Sequence, residues 1–400
     1  MRILFICTTE FQVINAINIR QQMFMNTECD ILCTKERLAR TVNFKKLSIF
    51  FQQVYLIDAL HSIDILKKIF TCYNLNFYYP LFKSIYNKKA YLERKLEGYK
   101  GITNQSYSDV FIYSIDNRIC RRYAKFFSDK DHSSIHRFDE GVGTYIEPDP
   151  SRKGFFESKE DAKIKIHDTF LYEPDVALPN SDCNVFVKIP KIQLENQNFI
   201  RELNNIFGWQ DVKDIYYHEQ VIFFDQPIGN PYYEQRGGLL KIKSKILRYS
   251  DRSQKDRQEI KLYKKKMKII QQIQETIPNI MIKLHPNTMW LEDEYMKQKY
   301  SIMKNSKIPW EIFFLNSKFD SVLWITINSS SVLINYMLTD KKNKNIKVVF
   351  LYRLFGKSCE ADRQVDQFLQ NIQKVYKNIY IPNNFDELNE ILLLFKQPKS

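Results

Sequence analysis

The stretch RILFICTTEFQVINAI, residues 2–17, decides the fold class of this chain. It opens with a short β-branched and aromatic run, RILFIC, of the kind found in buried strands. Phe11, Ile14 and Ile17 then recur at three-residue steps, which places them on one face of a helix. A strand followed at once by a helix is the repeating unit of parallel, doubly wound α/β sheets.

The same alternation continues through the first half of the chain. Segments that are mostly long enough for helices separate four further strand-like runs: CDILC (29–33), QVYLI (53–57), DVFIYS (109–114) and SIHRF (134–138). The aromatic, lysine-rich segment 65–105 is predicted to be helical and peripheral. We therefore predict a first Rossmann-like domain over residues 1–210.

A second series of strands starts near residue 211. It comprises QVIFFD (220–225), IMIKL (280–284), SVLWIT (321–326), IKVVFL (346–351) and IYIP (379–382). We predict a second Rossmann-like domain over residues 211–400. Open α/β sheets bind ligands beyond the carboxyl ends of their strands, so a cleft between the two domains is expected to hold the functional motifs.

Two helices of the second half are predicted from their apolar residues. The first is long and ends near Pro278; the three lysines at 264–266 lie mostly off its apolar stripe, which consists of Ile260, Tyr263, Met267, Ile270 and Ile273. The second, FDELNEILLLFK (385–396), is amphipathic and is predicted to pack back on one of the two domains.

Composition indicates a globular protein with an acidic partner. Of the 400 residues, 44% are apolar and 26% are charged, and no apolar run approaches the roughly 18 residues that cross a bilayer. The start MRILFIC runs into polar residues and has no signal-peptide pattern, so we expect a cytoplasmic protein. The net charge of +14 favours a nucleotide sugar, a nucleic acid or an anionic membrane surface as partner.

Two of the possible site types are disfavoured. A nucleic-acid binder is expected to have a recognisable binding fold or a concentrated basic and aromatic stripe, and the sequence has neither. The seven cysteines are scattered and odd in number, and the closest pair, Cys29 and Cys33, has no second pair or histidine near it. We interpret the cysteines as free, mostly buried thiols and expect no zinc.

An acidic pair follows one strand of the first domain. In HRFDEGVGTY (136–145), Asp139 and Glu140 come directly after the strand, and Gly141 and Gly143 allow a tight turn. Adjacent carboxylates shift the pKa of one another, which suits one of them to accept a proton near neutral pH. The alternative is a glycine turn in which the aspartate caps the next helix.

Two polar motifs of the second domain suit a phosphate group. In IKLHPNT (282–288), His285 follows a strand directly and Pro286 fixes the turn behind it, so that His285 can donate a proton or hydrogen bond to a phosphate oxygen. In ITINSSSVLINYML (325–338), a helix start rich in hydroxyls is an anion site or a simple N-cap, formed by Asn328, Ser329, Ser330 or Ser331. A packing or capping role is the alternative for His285.

Two further strand ends are candidates. FFDQPIGN (223–230) closes a strand with Asp225 and Gln226, either as a turn only or with Asp225 reaching the acceptor. CTTEFQVINAI (7–17) opens the first helix with Thr8, Thr9 and Gln12, which are candidates for acceptor recognition. The spacing from Thr9 to Gln12 is equally typical of an ordinary helix start.

Together these motifs resemble the bacterial sialyltransferases, and most closely the lipooligosaccharide sialyltransferases of glycosyltransferase family 52. The resemblance consists of FDEG after a first-domain strand, DQP before the long helix, the His-Pro pair and the serines at a later helix start. The polysialyltransferases of capsule synthesis share three of these signatures. Where those families often have arginine after His-Pro, this chain has Asn287, which puts the phosphate or carboxylate contacts of that turn in question.

The resemblance implies a GT-B fold, CMP-sialic acid as donor, inversion at the anomeric carbon, and a cytoplasmic enzyme that acts on lipooligosaccharide or capsule. It implies that the first domain binds the acceptor, through Thr9, Gln12 and Gly141, and that the second binds CMP-sialic acid. For the donor we predict contacts with His285, Pro286, Gln226, Asn328 and the three serines. Asp139, which directly ends its strand, is the preferred general base, and Glu140 and Asp225 are alternatives.

The sequence also predicts catalysis without metal or cofactor. No cluster of two or more carboxylates with histidine falls at one strand end, and the Asp129-Lys130-Asp131 run is interpreted as a turn. A CMP leaving group carries one phosphate, so His285 and a helix start suffice without Mg²⁺. A polysialyltransferase, or a GT-B enzyme with a different nucleotide sugar, is the alternative. Peripheral attachment to the inner membrane and a homodimer are further expectations.

Overall fold

The computed structural model describes residues 1–57, 100–146, 164–179, 183, 185–210, 215–228, 250–285, 288, 291–303, 308–340, 345–358 and 363–396. The chain divides into two compact units. Unit 1 contains Met1–Lys191 and Gln197–Trp209, and unit 2 contains Ile192–Asn196 and Gln210–Ser400. The short piece Ile192–Asn196 belongs to unit 2, where Ile192 forms a parallel bridge with Thr339.

Unit 1 is built on a parallel sheet. Its described strands are β1 (Arg2–Cys7), β2 (Glu28–Thr34), β3 (Val54–Ile57), β4 (Asp109–Ile112), β5 (Ser134–Phe138), β6 (Ile166–Leu171) and β7 (Phe186–Lys188). They lie in the order β3-β2-β1-β4-β5-β6-β7, and each neighbouring pair is parallel. The order reverses direction between β1 and β4, which is the position where doubly wound sheets bind ligands.

Helices follow the strands of unit 1 as the alternation predicts. They are α1 (Glu10–Met23), α2 (Lys35–Leu38), α3 (Lys100–Thr103), α4 (Arg118–Asp131), α5 (Val142–Tyr145) and α6 (Gln197–Phe207), with 3-10 turns at Phe44–Ile49 and Pro174–Val176. Val13, Ile14 and Ile17 of α1 are fully buried, and β1 contributes Phe5, which stacks on Phe111 of β4 at 4.8 Å. These contacts place the core of unit 1 on the central strands.

Unit 2 repeats the architecture with a six-stranded parallel sheet and a separate parallel pair. Its described strands are β8 (Ile215–His218), β9 (Val221–Phe224), β10 (Ile280–Lys283), β11 (Ser301–Ile302), β12 (Ser317–Asp320), β13 (Val322–Thr326), β14 (Ile346–Phe350) and β15 (Ile379–Tyr380). The sheet order is β11-β10-β9-β13-β14-β15, and β8 pairs with β12. The fold-class prediction is confirmed: the chain contains two Rossmann-like α/β units.

The helices of unit 2 differ from expectation in two details. They are α7 (Ser250–Thr276), α8 (Glu292–Lys297), α9 (Trp310–Asn316), α10 (Ile334–Met337), α11 (Arg363–Val375) and α12 (Phe385–Lys396), with 3-10 turns at Ser330–Leu333 and Tyr352–Ser358. The apolar helix predicted after the serine run is only a 3-10 turn followed by the four-residue α10. In α7, Lys266 is buried among the apolar residues, so its assignment to the polar side of the stripe is wrong.

One further helix forms as predicted, and two strands of unit 1 were not predicted. The helix predicted at 385–396 forms as α12 and packs against α7 within unit 2. Strands β6 and β7 were not predicted, because β6 carries two polar residues in its first half and β7 has only three residues. Most of the peripheral segment predicted to be helical, residues 65–99 of 65–105, lies outside the described residues.

Candidate active site

Asp139 is a buried carboxylate at the end of β5. Its side chain is 0% exposed. Oδ1 accepts a hydrogen bond from the Gly141 N–H (2.8 Å), and Oδ2 accepts from the Tyr145 hydroxyl and from the Tyr172 N–H (3.4 Å). Burial raises the pKa of Asp139 to about 6, although these three bonds oppose the rise. Both carboxylate oxygens are therefore engaged within the fold.

The turn after Asp139 needs glycine at its first position. Gly141 has φ 109°, a backbone conformation that residues with a Cβ rarely adopt. The buried Gly141 donates its N–H to Asp139, and the Glu140 N–H donates to Thr144 Oγ1 at 3.0 Å. The stretch therefore forms a glycine turn, but α5 has Gly141 as its N-cap and no side-chain cap, so the prediction that the aspartate caps this helix is wrong. Glu140, which follows Asp139, is partly exposed.

Glu140 has the surroundings of a proton acceptor. Burial raises its pKa to about 7, and the Asp139 and Asp116 carboxylates add to the rise, while Arg137 and a hydrogen bond from Gln12 lower it. The Gln12 Nε2 donates to Glu140 Oε2 at 3.3 Å. A partly exposed carboxyl group with a pKa near 7 can give up and regain a proton at physiological pH.

The start of α1 orients Gln12 toward Glu140. Gln12 is 2% exposed, and its Oε1 accepts from the Thr8 N–H (2.7 Å) and the Thr9 N–H (3.1 Å). Because two backbone donors face Oε1, the amide can only direct its NH₂ group at Glu140. The Thr9 hydroxyl accepts from the Gln12 N–H, so the helix-start alternative is confirmed as a capping box. Tyr113, which the sequence did not indicate, accepts a bond from Thr8 Oγ1 at 2.8 Å.

Gln226 and the serine run come together in unit 2. Strands β9 and β13 are neighbours, so their carboxyl ends lie side by side. Gln226 Oε1 accepts from the Asn328 N–H (2.7 Å) and from Thr326 Oγ1 (3.3 Å). Ser329 caps the 3-10 turn by accepting from the Ser331 N–H, and the two serine hydroxyls lie 2.7 Å apart. The predicted N-cap is confirmed, and the short turn that follows it provides little helix dipole.

His285 follows β10, which is the other neighbour of β9. Its backbone N–H donates to Thr288 Oγ1 (3.0 Å), and the Thr288 N–H donates back to the His285 carbonyl (2.8 Å), so the fully buried Thr288 closes the turn. The His285 side chain is partly exposed. Pro286 and Asn287, predicted to form this turn, lie outside the described residues.

Asp225 is paired inside the core. Its Oδ1 lies 2.7 Å from Lys266 Nζ, and both side chains are at most 1% exposed. Lys266 Nζ also donates to the Gln226 carbonyl at 3.2 Å. A carboxylate held by a buried lysine lacks the access to water or substrate that the alternative role of Asp225 as base requires.

Lys283 adds a cation that the sequence analysis missed. It ends β10, and its Nζ lies 5.3 Å from the centre of the Trp310 ring and 5.6 Å from that of Phe224. Burial lowers the pKa of Lys283, and Glu311 opposes the change. Trp310 in turn donates its Nε1–H to the Ser331 carbonyl at 3.0 Å. The Trp310 side chain therefore lies between Lys283 and the serine run.

Three sequence interpretations concern metals and thiols. The sequence shows no two carboxylates with histidine at one strand end, but the fold brings Asp109 and Asp168 from two neighbouring strands to His136. Catalysis without metal stays a prediction. Asp129-Lys130-Asp131, interpreted as a turn between elements, forms the end of helix α4. The cysteine prediction is confirmed for the five described residues, which are all free and buried: Cys7, Cys29, Cys33, Cys120 and Cys183.

Comparison with known proteins gives remote likenesses only. No protein-family model and no curated protein matches the chain. Among solved structures it is similar to the glycotransferase of kitacinnamycin, with 8% identity over 99% of this chain and 91% of that chain and a TM-score of 0.45. It is also similar to glycosyltransferase VinC in complex with DTDP, with 7% identity over 100% of this chain and 92% of that chain and a TM-score of 0.41. For UDP-N-acetylglucosamine 2-epimerase from Rickettsia bellii the identity is 11%, over 99% of this chain and 95% of that chain, and the TM-score is 0.37. At this level the likenesses assign neither reaction nor substrate.

Proposed function

We propose that the protein is a glycosyltransferase that moves a sugar from a nucleotide donor to a glycan hydroxyl, and that the donor is CMP-sialic acid. The single observation that carries the proposal is Glu140: a partly exposed carboxyl group at the carboxyl end of β5, with a pKa raised to about 7 and a fixed amide donor beside it. The donor identity rests on the resemblance to the family 52 sialyltransferases.

Glu140 takes the role of general base in this proposal, in place of Asp139. Asp139 has both oxygens bonded and no exposed surface, so an acceptor hydroxyl has no route to it. Glu140 offers Oε1 in addition to the oxygen that Gln12 contacts. Asp139 then shapes the turn, and the Gln12 amide and Thr9 cap position Glu140.

The second unit supplies the donor site in the proposal. The leaving CMP phosphate is bound by His285 and by the hydroxyls of Ser329, Ser330 and Ser331. Gln226 keeps that loop in place through its bond to the Asn328 N–H, and Lys283 contributes positive charge. These groups neutralise the charge that develops on the leaving oxygen, a role worth about 3 kcal/mol for one preorganised donor.

The chemical step balances without a metal ion. The acceptor oxygen attacks the anomeric carbon of the sugar from the face opposite the phosphate, and the bond to the phosphate oxygen breaks with its electron pair, which inverts the configuration. Glu140 receives the acceptor proton, and His285 donates a hydrogen bond or a proton to the departing CMP.

Transfer is tested by incubating the protein with CMP-sialic acid and lactose and measuring product masses. A lactose product heavier by one sialic acid is the expected result. Reaction with sialylated acceptors alone favours a polysialyltransferase. The absence of product with either acceptor contradicts the proposed donor.

A thermal-shift measurement tests the donor class without an acceptor. CMP is expected to raise the melting temperature, because a ligand that binds only the folded state stabilises it. The Ser331→Ala variant should show a smaller shift, whereas Ser358→Ala, on a different 3-10 turn, should match wild type. A shift with UDP or GDP but none with CMP would assign the donor to another nucleotide class.

A further inference from the structure

A group of histidines and carboxylates lies on strands β4, β5 and β6, apart from the residues assigned to catalysis. His136 Nε2 lies 3.0 Å from Asp109 Oδ1, and His136 Nδ1 lies 3.2 Å from Asp168 Oδ2. His167 Nδ1 lies 2.7 Å from Asp168 Oδ1. His136 precedes Asp139 by three residues, so the group lies about 10 Å back along β5 from the proposed catalytic end.

A register shift brings these side chains to one place. Ile135 pairs with Ile166, but Arg137 pairs with Thr169, so His167 and Asp168 together oppose His136. In a regular strand, neighbouring side chains point to opposite faces of the sheet. The extra residue in β6 removes that constraint, and bulges of this kind commonly re-aim side chains at functional sites.

The buried histidine carries an unused ligand atom. His136 is 6% exposed, and its Nδ1 makes no hydrogen bond, although Asp168 Oδ2 lies 3.2 Å away. Asp109 is an acceptor only, so its contact with Nε2 places a proton on Nε2, and Nδ1 is the ring atom that faces Asp168. A cation bound between Nδ1 and the Asp168 carboxylate would give this buried nitrogen a partner.

We propose that His136, His167 and Asp168 bind one divalent transition-metal ion of the zinc type. The offered ligand atoms of the three residues all lie within 4.8 Å of one another. Two imidazoles and one carboxylate favour zinc, cobalt or nickel over magnesium and calcium, which prefer all-oxygen sites. Three protein ligands leave a fourth position for water in a tetrahedral site.

The surroundings match those of metal sites in two further respects. Asp109 accepts the second N–H of the ligating histidine, as the carboxylate partners of zinc-bound histidines do. Phe111 stacks on the His136 ring at 4.8 Å and Phe170 contacts it edge-on at 5.7 Å, which gives an apolar shell. The His167 side chain is 66% exposed and lines a pocket with Ser134 and Lys165, so this ligand is accessible from solvent.

The site has a structural role in this proposal. Its ligands come from β5 and β6, and Asp109, which accepts a hydrogen bond from His136, comes from β4, so a bound ion connects three adjacent strands. The ion binds only the folded chain, and it therefore stabilises unit 1.

The experiment is metal titration of the full chain after treatment with a chelator and its removal. Zn²⁺ is expected to bind at one ion per chain and to raise the melting temperature, and Mg²⁺ at the same concentration is not. Co²⁺ should give the visible absorption of a four-coordinate site. His167→Ala and Asp168→Asn should each weaken Zn²⁺ binding at least 10-fold, and Asp109→Asn about 10-fold to 100-fold.

His218→Ala is the matched control. His218 lies 3.1 Å from Asp320 in unit 2, and both side chains are exposed. This pair lacks the buried histidine of the proposed site. The His218→Ala variant should leave the Zn²⁺ affinity and the Zn²⁺-induced thermal shift unchanged. His167 is exposed, so its variant is expected to fold, and the test does not depend on the buried His136. Absence of Zn²⁺ binding, equal shifts with Mg²⁺, or full Zn²⁺ affinity in the His167→Ala, Asp168→Asn double variant would overturn the proposal.

Discussion

At the scale of the residue, two adjacent carboxylates have different surroundings, and the proposal gives them different roles for that reason. Asp139 is enclosed by donors from its own turn and from Tyr145 and Tyr172, while Glu140 keeps one side toward solvent. The sequence pointed to this pair through the strand, the acidic dipeptide and the glycine. It favoured Asp139 because that residue directly ends the strand, and it could not show that Asp139 is enclosed, since one of the enclosing donors, Tyr172, is 33 residues farther along the chain.

The hydrogen bond from Gln12 lowers the pKa of Glu140, in opposition to the larger effect of burial. Because this bond lowers the pKa of Glu140, the Gln12→Met variant should raise that pKa and move the acidic limb of the kcat/KM profile to higher pH, by on the order of one pH unit. Gln22→Met, two to three turns farther along α1, serves as the control and should leave the profile in place. An unchanged profile in Gln12→Met would show that Glu140 does not govern this limb.

The same two carboxyl groups make stability depend on pH. Their pKa values in the folded state, about 6 for Asp139 and about 7 for Glu140, exceed the ordinary values of 3.8 and 4.5. The folded chain therefore holds protons that the unfolded chain has lost, and their contribution to stability decreases as pH rises from about 4 to about 7. Urea denaturation at pH 5 and pH 8 should show a smaller decrease for Glu140→Gln than for wild type, and equal decreases would contradict this assignment.

At the scale of the element, helix α7 reaches the strand ends of unit 2 through a buried lysine. The sequence predicted the helix and its apolar stripe, but it did not identify Lys266 as buried, since a lysine at the end of a run of three looks like part of a solvated face. The partner, Asp225, is 41 residues away. Local periodicity cannot reveal a pairing of that kind, because it depends on how the helix packs on β9.

Removing Lys266 leaves a buried charge without its partner. The Lys266→Met variant should lose about 3–5 kcal/mol of unfolding free energy, the usual cost of breaking a buried ion pair from one side. Lys264→Met on the exposed side of α7 should change stability by less than about 0.5 kcal/mol. Urea denaturation measures both, and a Lys266→Met variant as stable as Lys264→Met would show that the ion pair contributes little.

At the scale of the whole molecule, the repeated alternation of strands and helices predicted two α/β units, and both are present. Short or polar strands such as β6, β7 and β11 were missed because their pattern is too brief to stand out. The histidine and carboxylate group was missed for a different reason. Asp109, His136 and Asp168 lie far apart in sequence, and a bulge in an unpredicted strand brings the last of them into place.

The overall charge leads to a prediction about membranes. No helix in the described part of the chain is long and apolar enough to span a bilayer. A net charge of +14 nevertheless favours loose binding to anionic lipid surfaces, where the lipid-linked acceptors of the proposed reaction reside. Vesicles with anionic lipid should bind the protein at low salt and release it at high salt, since salt screens surface charge. Equal recovery in the soluble fraction at both salt concentrations would contradict this expectation.

The role of Glu140 as general base is the central claim, and one measurement tests it most directly: the turnover rate of sialic acid transfer by Glu140→Gln, with saturating CMP-sialic acid, beside wild type. We predict a loss on the order of 10²-fold or more in kcat, the usual scale for a general base, with the CMP-induced thermal shift retained. Asp139→Asn should instead lower the melting temperature, because the buried carboxylate joins three parts of unit 1. A Glu140→Gln variant that folds, binds CMP and turns over near the wild-type rate would contradict the account.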